Sequence, residues 1–369
     1  MVYKNPIQVA GSEEKFVCPE SLVLNTYKGC GFECSYCYAK WLMERFGNWK
    51  PIEGASILDI KKQFLKAKKG SNGIVSKLLR KYIPLRFGNL TDPFQPIEKE
   101  REATYKALKF LNKINYPVII NTKGVIQAED KYLDILEDMK VVVQETIISD
   151  NPDLTSKLEG ATPTPKERIN AIEKIADRGI PVQVRYSPVF PLLNDEPEEL
   201  FRKVAEAGAN DIISEYIRIP TDNNKELINE ALGYDYLNFL QEEDYPIVKR
   251  GYWYKVKYDK LFEEYRRHKK IAESYGLDYL ICCEEKPEIN DWRNCCGVEK
   301  YGFNSMDWTI QMRGKKFSEE PTSFLDYMEG ACPYTKEFLK YWNNGKLEGS
   351  IKDLEYNNNN HCYKRCKDD

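Results

Sequence analysis

The chain has 369 residues, of which 31% are charged and 42% are hydrophobic, and this is the balance of an ordinary globular protein. The length exceeds what one small core can organise, so we expect one large domain with additions, or two domains. The net charge of −3 at pH 7 gives no overall basic field that would attract nucleic acid. A nucleic-acid partner would therefore have to bind a local basic patch.

The first twenty residues lack the basic region and apolar run of a signal peptide. No apolar run approaches the roughly 20 residues that span a bilayer. We therefore expect a soluble, cytoplasmic protein without a membrane partner.

The predicted strands begin close to the N-terminus and recur along the first 220 residues. Each is a short run rich in Val and Ile, which is typical of a strand buried on both faces. The predicted strands cover residues 21–27, 82–91, 116–123, 140–149, 180–189 and 210–220.

Helical patterns separate these strands, and the clearest covers residues 164–180. Thr164 can cap this helix, Pro165 suits its first turn and Gly179 can end it. Regular alternation of strands and helices predicts a parallel sheet with helices outside it. Six units predict an α/β fold with a partial (β/α)6 TIM-type barrel over residues 21–220. Residues 1–20 would form an N-terminal segment, and residues 221–369 an insertion and a cysteine- and aromatic-rich C-terminal extension.

Polar residues follow several of the predicted strands, where parallel barrels gather their chemistry. Thr91 and Asp92 follow the second strand, and Lys123 follows the third. Ser149 ends the fourth strand, and Arg185 lies near the end of the fifth. The agreement among these positions indicates a site at this edge of the sheet.

The eleven cysteines fall into two groups. Four lie in the first forty residues and seven lie from Cys282 onward, with none between Cys37 and Cys282. In a reducing compartment, an odd number of cysteines in a long chain points to metal binding or catalysis rather than to disulfides. The gap between the groups suggests two separate cysteine sites.

The cysteine loop, residues 27–41, contains Cys30, Cys34 and Cys37 at short intervals. A structural zinc site usually takes four protein ligands, whereas three thiolates can hold three corners of a [4Fe-4S] cluster and leave one iron open. Gly29 and Gly31 would let the backbone fold closely around the cluster. The alternatives are three unrelated thiols, or part of a zinc site completed from elsewhere.

The spacing Cys30-x3-Cys34-x2-Cys37, with Tyr36 before the last cysteine, resembles the signature of the radical S-adenosylmethionine (SAM) superfamily. The resemblance implies that the open iron binds SAM. It also implies that an electron from the reduced cluster splits SAM into methionine and a 5'-deoxyadenosyl radical, which abstracts a substrate hydrogen. The cofactor would carry the difficult chemistry, and the protein would position and shield it.

Further motifs over about residues 20–220 resemble the spore photoproduct lyase-like branch of that superfamily. They are "GCGFECSYCYA", "GNLTDPFQPIE", "NTK", "IISDNPDL...E" and "VRYSPVFPLLND". The resemblance implies that seven residues contact SAM or surround the cluster: Tyr36, Tyr38, Thr91, Asp92, Lys123, Ser149 and Arg185. Among these, Lys123 would face the SAM carboxylate and Ser149 would lie near the ribose; for Lys123 alone, a solvated surface lysine is the competing interpretation.

The chain departs from this branch at one position. Photoproduct lyases carry a cysteine just before their Thr/Ser-Asp turn, and it returns a hydrogen to the product. This chain has Asn89 and Leu90 before Thr91. The reaction is therefore expected to differ from photoproduct repair.

The C-terminal cysteines form a candidate second metal site, which would hold an iron-sulfur cluster or zinc. Its candidate ligands are Cys282, Cys283, Cys295, Cys296, Cys332, Cys362 and Cys366. Neighbouring cysteines on a strand point to opposite faces, so one of each pair would ordinarily face one site. The alternatives are one catalytic hydrogen donor or plain buried cysteines. His361 could join the ligands, although a surface histidine is the simpler interpretation.

The substrate is the least defined feature. The segment Lys61–Lys81 has eight basic residues and no acidic one, which makes it a candidate DNA-binding face, and the aromatic insertion over residues 221–257 could stack on a flipped base. A solvated helix and packing over the open side of the barrel are the competing interpretations. A peptide or small-molecule substrate stays open, as does a non-catalytic iron-sulfur or zinc protein that binds nucleic acid. An enzyme would need an external electron donor of the flavodoxin or ferredoxin type.

Overall fold

The structure, a computed structural model, describes residues 5–9, 20, 22–44, 49, 52–250, 253–282, 289–292 and 295–304. Strands and helices alternate through most of these ranges. The strands are β1 (Ile7–Val9), β2 (Leu22–Leu24), β3 (Tyr27–Lys28), β4 (Glu53–Gly54), β5 (Leu85–Phe87), β6 (Val118–Thr122), β7 (Val141–Thr146), β8 (Val182–Val189), β9 (Asp211–Tyr216), β10 (Ile247–Arg250), β11 (Trp253–Val256) and β12 (Asp278–Ile281).

The α-helices of these ranges lie between the strands. They are α1 (Tyr38–Glu44), α2 (Ile57–Lys68), α3 (Ile74–Arg80), α4 (Glu98–Arg101), α5 (Ala103–Lys113), α6 (Asp130–Leu136), α7 (Pro152–Leu158), α8 (Pro165–Asp177), α9 (Glu198–Glu206), α10 (Asp222–Leu232), α11 (Tyr236–Glu242) and α12 (Tyr258–Ser274). None of the helices in the described ranges is both long and apolar enough to cross a membrane.

The main sheet has the strand order β1–β2–β5–β6–β7–β8–β9–β12. β1 pairs with β2 in the antiparallel sense, and every other neighbouring pair is parallel. The six predicted strands correspond to β2 and β5 to β9, in the predicted order, and the predicted α/β partial-barrel fold is confirmed. The sheet also contains two strands beyond those six. β1 belongs to the N-terminal segment, and β12 follows the aromatic insertion.

Helix α8 forms as its sequence predicts. The Thr164 hydroxyl accepts a hydrogen bond from the amide of Glu167, and the Glu167 carboxylate accepts one from the amide of Thr164, which completes a capping box. Ile172 and Ile175 are fully buried on the face that packs toward the sheet. Gly179 adopts a positive φ just after the helix ends, where a side chain would be strained.

The aromatic insertion forms α10, α11 and the β10–β11 hairpin. Tyr236 and Tyr245 are buried, and the Tyr236 hydroxyl donates to the carbonyl of Pro191 at 2.9 Å. The Tyr236 ring also lies 5.8 Å from the ring of Phe190. These two tyrosines therefore pack within the protein, whereas Tyr234 is 39% exposed. Tyr252 lies outside the described residues.

Residues 295–304 cover the amino-terminal ends of the central strands. Gln183, near the start of β8, donates to the carbonyl of Cys296 at 2.7 Å. Asp211, at the start of β9, accepts from the Tyr301 hydroxyl at 2.7 Å and pairs with Lys300. Cys295 and Cys296 are buried in an apolar group with Ile119, Val142, Val298 and Phe303. This segment of the C-terminal extension therefore closes the end of the sheet opposite the polar strand ends.

Candidate active site

A cavity of about 270 Å³ lies at the carboxyl ends of the parallel strands. All of the predicted cluster and SAM-binding residues except Ser149 line it. They are Cys30, Cys34, Cys37, Tyr36, Tyr38, Thr91, Asp92, Lys123 and Arg185. Arg86, Glu215, Arg218 and Cys282 also line the cavity. The structure therefore gathers residues that are far apart in the sequence around one space.

The part of the cysteine loop around Cys30 is held by its backbone conformation and by Gln95. Gly29 has a φ of +80°, and a Cβ atom there would lie 2.0 Å from the carbonyl oxygen of Trp49. Gln95 is fully buried, accepts from the amide of Gly31 at 2.9 Å and donates to the carbonyl of Gly29 at 3.0 Å. One amide side chain thus holds the backbone on both sides of Cys30.

Thr91 and Asp92 connect the cysteine loop with the neighbouring strand ends. The Thr91 hydroxyl donates to the carbonyl of Tyr27 at 2.9 Å. Asp92 accepts from the Thr122 hydroxyl at 2.7 Å, the Lys123 amide at 2.7 Å and the Phe94 amide at 2.8 Å. Burial raises the pKa of Asp92 even though these bonds favour its charged form. Both of its carboxylate oxygens therefore hold protein backbone and side chains together.

A buried charged network lies behind Tyr36. The Tyr36 hydroxyl donates to Glu159, and Glu159 forms an ion pair with Arg168 at 2.6 Å, where both side chains are fully buried. Lys123 lies 3.8 Å from the same carboxylate, and its ammonium lies 5.7 Å from the centre of the Tyr36 ring. Burial alone would raise the pKa of Glu159, but Arg168 and Lys123 outweigh it and hold this pKa below its ordinary value.

The two remaining predicted SAM contacts on this side differ in position. Tyr38 is 37% exposed in the cavity wall and donates to the carbonyl of Asn89 at 2.8 Å. Ser149 is buried and accepts a hydrogen bond from the amide of Asn151 at 3.1 Å. Ser149 therefore shapes the turn that leads into α7, and it is the predicted residue that the structure does not bring into the cavity.

Arg185 lies in the cavity wall, in the middle of β8. Its guanidinium donates to Gln144 at 3.4 Å and to the sulfur of Cys282 at 3.5 Å, and it lies 4.0 Å from Glu215. Burial alone would lower the pKa of Arg185, but the nearby Cys282, Cys296 and Glu215 raise it. Arg185 is therefore a fixed cation in the cavity wall.

The three cysteines of the loop have the chemistry of cluster ligands. Burial raises the pKa of Cys30 to about 12, and it raises the pKa values of Cys34 and Cys37. Metal binding to these thiols must therefore displace protons. The amide of Lys40 donates to the sulfur of Cys37 at 3.4 Å, an interaction that favours a thiolate.

No group of three His, Cys, Asp or Glu side chains in the described ranges is arranged to hold a single metal ion. A [4Fe-4S] cluster does not require such a group, because each thiolate binds a different iron. Three thiols around one cavity match the ligand set of a [4Fe-4S] cluster that keeps one iron open.

The C-terminal cysteines that the structure describes lie in two places. Cys282 lines the cavity, whereas Cys295 and Cys296 lie in the apolar group at the other end of the strands. Cys283, Cys332, Cys362, Cys366 and His361 lie outside the described residues. The candidate second metal site therefore stays a prediction.

A model of a known protein family matches the part of the chain that forms most of this site. Residues 24–204 match the family model of the radical SAM superfamily. This part of the chain, just under half of it, belongs to the radical SAM superfamily. Membership of this superfamily implies a [4Fe-4S] cluster and SAM, and the matched residues include the whole cysteine loop and the strand ends as far as Arg185.

Curated relatives of this radical SAM chain cover about half of it. An uncharacterized protein of Mycobacterium bovis is 27% identical over 199 residues, which are 53% of this chain and 58% of that protein. An uncharacterized protein of Methanocaldococcus jannaschii is 25% identical over 197 residues, or 52% of this chain and 66% of that protein. The match thus spans little more than half the length of the first of these relatives.

Two solved structures resemble the fold over a larger part of the chain. A spore photoproduct lyase complexed with dinucleoside spore photoproduct superposes with a TM-score of 0.55 at 20% identity, covering 76% of this chain and 80% of that one. A spore photoproduct lyase variant with bound AdoMet and the same dinucleoside gives a TM-score of 0.52 at 20% identity, covering 71% and 76%. At this identity the likeness shows a shared fold.

Several residues of this radical SAM site were not assigned from the sequence. Glu159, Arg168 and Gln95 hold the cysteine loop from behind, and Asn224 of α10 donates to the carbonyl of Cys37 at 3.3 Å. Gln95 and Glu159 lie inside motifs that resemble the photoproduct lyase branch, so the sequence could have marked them as candidate site residues. Asn224 lies in the insertion and carried none.

Gly29 and Gly31 provide a matched test of the cysteine loop. We expect Gly29→Ala to lose most of the iron bound by wild type after anaerobic reconstitution, because its Cβ atom would overlap the carbonyl of Trp49 at a strained φ. Gly31→Ala should bind iron like wild type, since the nearest atoms to its Cβ lie 3.9 Å away. Iron per chain measures both, and equal iron contents in the two variants would contradict the described path of the loop.

Proposed function

We propose that this chain is an enzyme that uses a [4Fe-4S] cluster and SAM to take a hydrogen atom from a substrate. The observation that carries the proposal is the single cavity lined by Cys30, Cys34, Cys37 and the polar strand ends. When bound, the cluster and SAM would supply a 5'-deoxyadenosyl radical. A purely structural metal site would not need the polar residues on the strand ends.

The chain's own residues would perform three tasks. Cys30, Cys34 and Cys37 would hold three irons as thiolates. Lys123, which is only partly buried, would offer its ammonium to the SAM carboxylate, as oppositely charged partners favour. The aromatic rings of Tyr36 and Tyr38 would exclude water beside the cluster. An external electron donor of the flavodoxin or ferredoxin type would supply the electron.

We expect a fully reconstituted preparation, given SAM and a strong reductant under anaerobic conditions, to release 5'-deoxyadenosine. Replacing Cys30, Cys34 and Cys37 with Ala should abolish this release, because no thiolate would remain to hold the cluster. Chromatography of the quenched reaction measures the product. A wild-type preparation with full iron and sulfide that yields no 5'-deoxyadenosine would refute the proposal, and release by the triple variant would refute the ligand assignment.

The substrate that we propose is DNA or a nucleobase. Four basic side chains line the cavity, Arg86, Lys123, Arg185 and Arg218, whereas Asp92 and Glu215 are its acidic lining residues. The basic side chains of the lining outnumber the acidic ones, and this surplus of positive charge suits a phosphate-bearing substrate. The similar spore photoproduct lyase structure is complexed with a dinucleoside. The loop after β5 has no cysteine, so the reaction would differ from that enzyme's.

The basic segment Lys61–Lys81 would supply a second contact with DNA, outside the cavity. It folds as α2 and α3, and Lys66, Lys68 and Lys69 are exposed near the end of α2. Lysines that neutralise phosphates release counterions, so binding should weaken steeply with salt. A peptide or small-molecule substrate is the alternative, and a non-catalytic nucleic-acid-binding protein would give DNA binding without 5'-deoxyadenosine.

The DNA contact is tested by two variants that lose the same charge. We expect Lys66→Gln, Lys68→Gln and Lys69→Gln together to lower the slope of log affinity against log salt by roughly 2 to 3, because each lost phosphate contact contributes about 0.9. The control replaces the exposed Lys157, Lys166 and Lys174 on α7 and α8 with Gln and should keep the wild-type slope. Fluorescence anisotropy with a labelled DNA duplex measures both, and identical slopes in the two variants would end the idea of a basic DNA-binding segment.

A further inference from the structure

The cavity contains a fourth thiol that does not belong to the cysteine loop. Cys282 follows β12, at the far end of the strand order from the strand that precedes the cysteine loop, and lines the same cavity as Cys30, Cys34 and Cys37. We infer that Cys282 donates a hydrogen atom inside this cavity. This inference rests on the proposed function, because it requires a carbon radical to be formed there.

Cys282 is held in a defined position. Its amide donates to the carbonyl of Ser214 at 2.9 Å, which extends the parallel pairing of β12 with β9 by one residue. Its side chain packs against Ile213 and Leu280 and is 5% exposed, and its sulfur accepts from Arg185 at 3.5 Å. A thiol that is fixed by a strand end and sheltered from bulk solvent can meet a radical without being lost to side reactions in water.

The remaining described thiols of the extension do not share this position. Cys295 and Cys296 are 1% and 2% exposed and pack in the apolar group at the amino-terminal ends of the strands. The cavity faces the carboxyl ends. Cys282 therefore differs from Cys295 and Cys296 in its access to the cavity.

The loop after β5 leaves this role open. Asn89 and Leu90 line the cavity just before Thr91, and neither side chain carries a thiol, whose S–H bond is weaker than a C–H bond and whose hydrogen exchanges with solvent. Asn89 instead accepts from Arg86 at 2.7 Å through its side chain and from Tyr38 at 2.8 Å through its carbonyl. Among the described residues of the cavity wall, Cys282 is the thiol that the cluster does not require.

The proposed donation is a homolytic hydrogen transfer from sulfur to carbon, followed by reduction of the sulfur. The S–H bond of Cys282 breaks homolytically, a C–H bond forms on the carbon radical, and Cys282 becomes a thiyl radical. One electron from the external reductant and one proton from solvent return the thiyl radical to the thiol. Because a thiol proton exchanges with solvent, the transferred hydrogen carries a solvent isotope label.

The test uses SAM and reductant without any substrate, so the identity of the substrate need not be known. The reconstituted protein is incubated with SAM and reductant in deuterium oxide, and the 5'-deoxyadenosine is analysed by mass spectrometry. In the absence of substrate, Cys282 should quench the radical, so the wild-type product should be monodeuterated. In Cys282→Ser the deuterium content should fall to background, because a serine O–H bond is too strong to be the donor, while Cys296→Ser should keep the wild-type content.

The outcomes separate this inference from the proposed function. Absence of 5'-deoxyadenosine in wild type refutes both. Undeuterated 5'-deoxyadenosine from wild type, or deuterated product from Cys282→Ser, overturns the inference and leaves the proposed function standing. Isotope content per molecule does not depend on how much product forms, and iron per chain shows whether each variant keeps its cluster.

A second measurement is independent of turnover. With the cluster in place and no reductant present, alkylation of Cys282 by iodoacetamide should slow when SAM is added, because both occupy one cavity. Peptide mass spectrometry locates the modified cysteine. Alkylation that is measurable without SAM and equally fast with SAM would place Cys282 outside the space that SAM fills and would overturn the inference. Complete absence of alkylation without SAM would show that Cys282 is closed off from the cavity and would overturn it too. If Cys282 ligated a separate metal, SAM would also leave its alkylation rate unchanged. Iron retained by the Cys30, Cys34 and Cys37 triple-Ala variant would reveal that metal.

Discussion

The buried ion pair between Glu159 and Arg168 is the interaction on which the geometry of the cysteine loop depends. Both side chains are fully buried, and Glu159 also accepts from Tyr36, which lies between Cys34 and Cys37. Removing one partner of a buried pair typically costs about 3–5 kcal/mol, because the other charge is left without compensation. An apolar pair could fill the same volume, but it would leave the Tyr36 hydroxyl without an acceptor. The charges therefore set the position of the loop rather than only the stability of the fold.

Other buried polar side chains around the cavity bond to loop backbone that lies outside the sheet and lacks its hydrogen bonds. Gln95 bonds the backbone on both sides of Cys30, and Asp92 joins the turn after β5 to the end of β6. Asn224 reaches the loop from the aromatic insertion. Each of these groups satisfies polar atoms that would otherwise be buried without partners. These contacts hold the loop by several independent hydrogen bonds, as a preorganised site requires.

The sequence predicted the parts of this protein that follow from periodicity. Short Val- and Ile-rich runs alternating with helices indicated a parallel sheet, and parallel strands bring their carboxyl ends to one edge. Thr91, Asp92, Lys123 and Arg185 therefore meet at the cavity as expected. Ser149 does not, because β7 ends at Thr146 and Ser149 already belongs to the turn before α7.

Other features depend on tertiary structure that periodicity does not encode. Cys282 was predicted as one of seven candidate ligands of a second metal site, and one catalytic hydrogen donor among these cysteines was an alternative, but the sequence did not single out Cys282. Its place in the cavity depends on β12 pairing with β9 across the whole aromatic insertion, and that pairing is a long-range event. Asp92 and Arg168 are similar cases, since each also bonds to backbone atoms distant in the sequence, which no spacing rule specifies. The residues beyond 304 lie outside the structure's description, so the Cys332, Cys362 and Cys366 assignments rest on sequence alone.

The central claim is that three thiolates leave one iron open and that SAM binds there. Electron paramagnetic resonance of the reduced, reconstituted protein tests it most directly. The spectrum is recorded alone and with SAM that carries isotopic labels in its amino and carboxylate groups. We expect SAM to shift the spectrum of the cluster and the labels to add hyperfine couplings, because both groups would coordinate the open iron. A reduced cluster whose spectrum is unchanged by saturating SAM would contradict it.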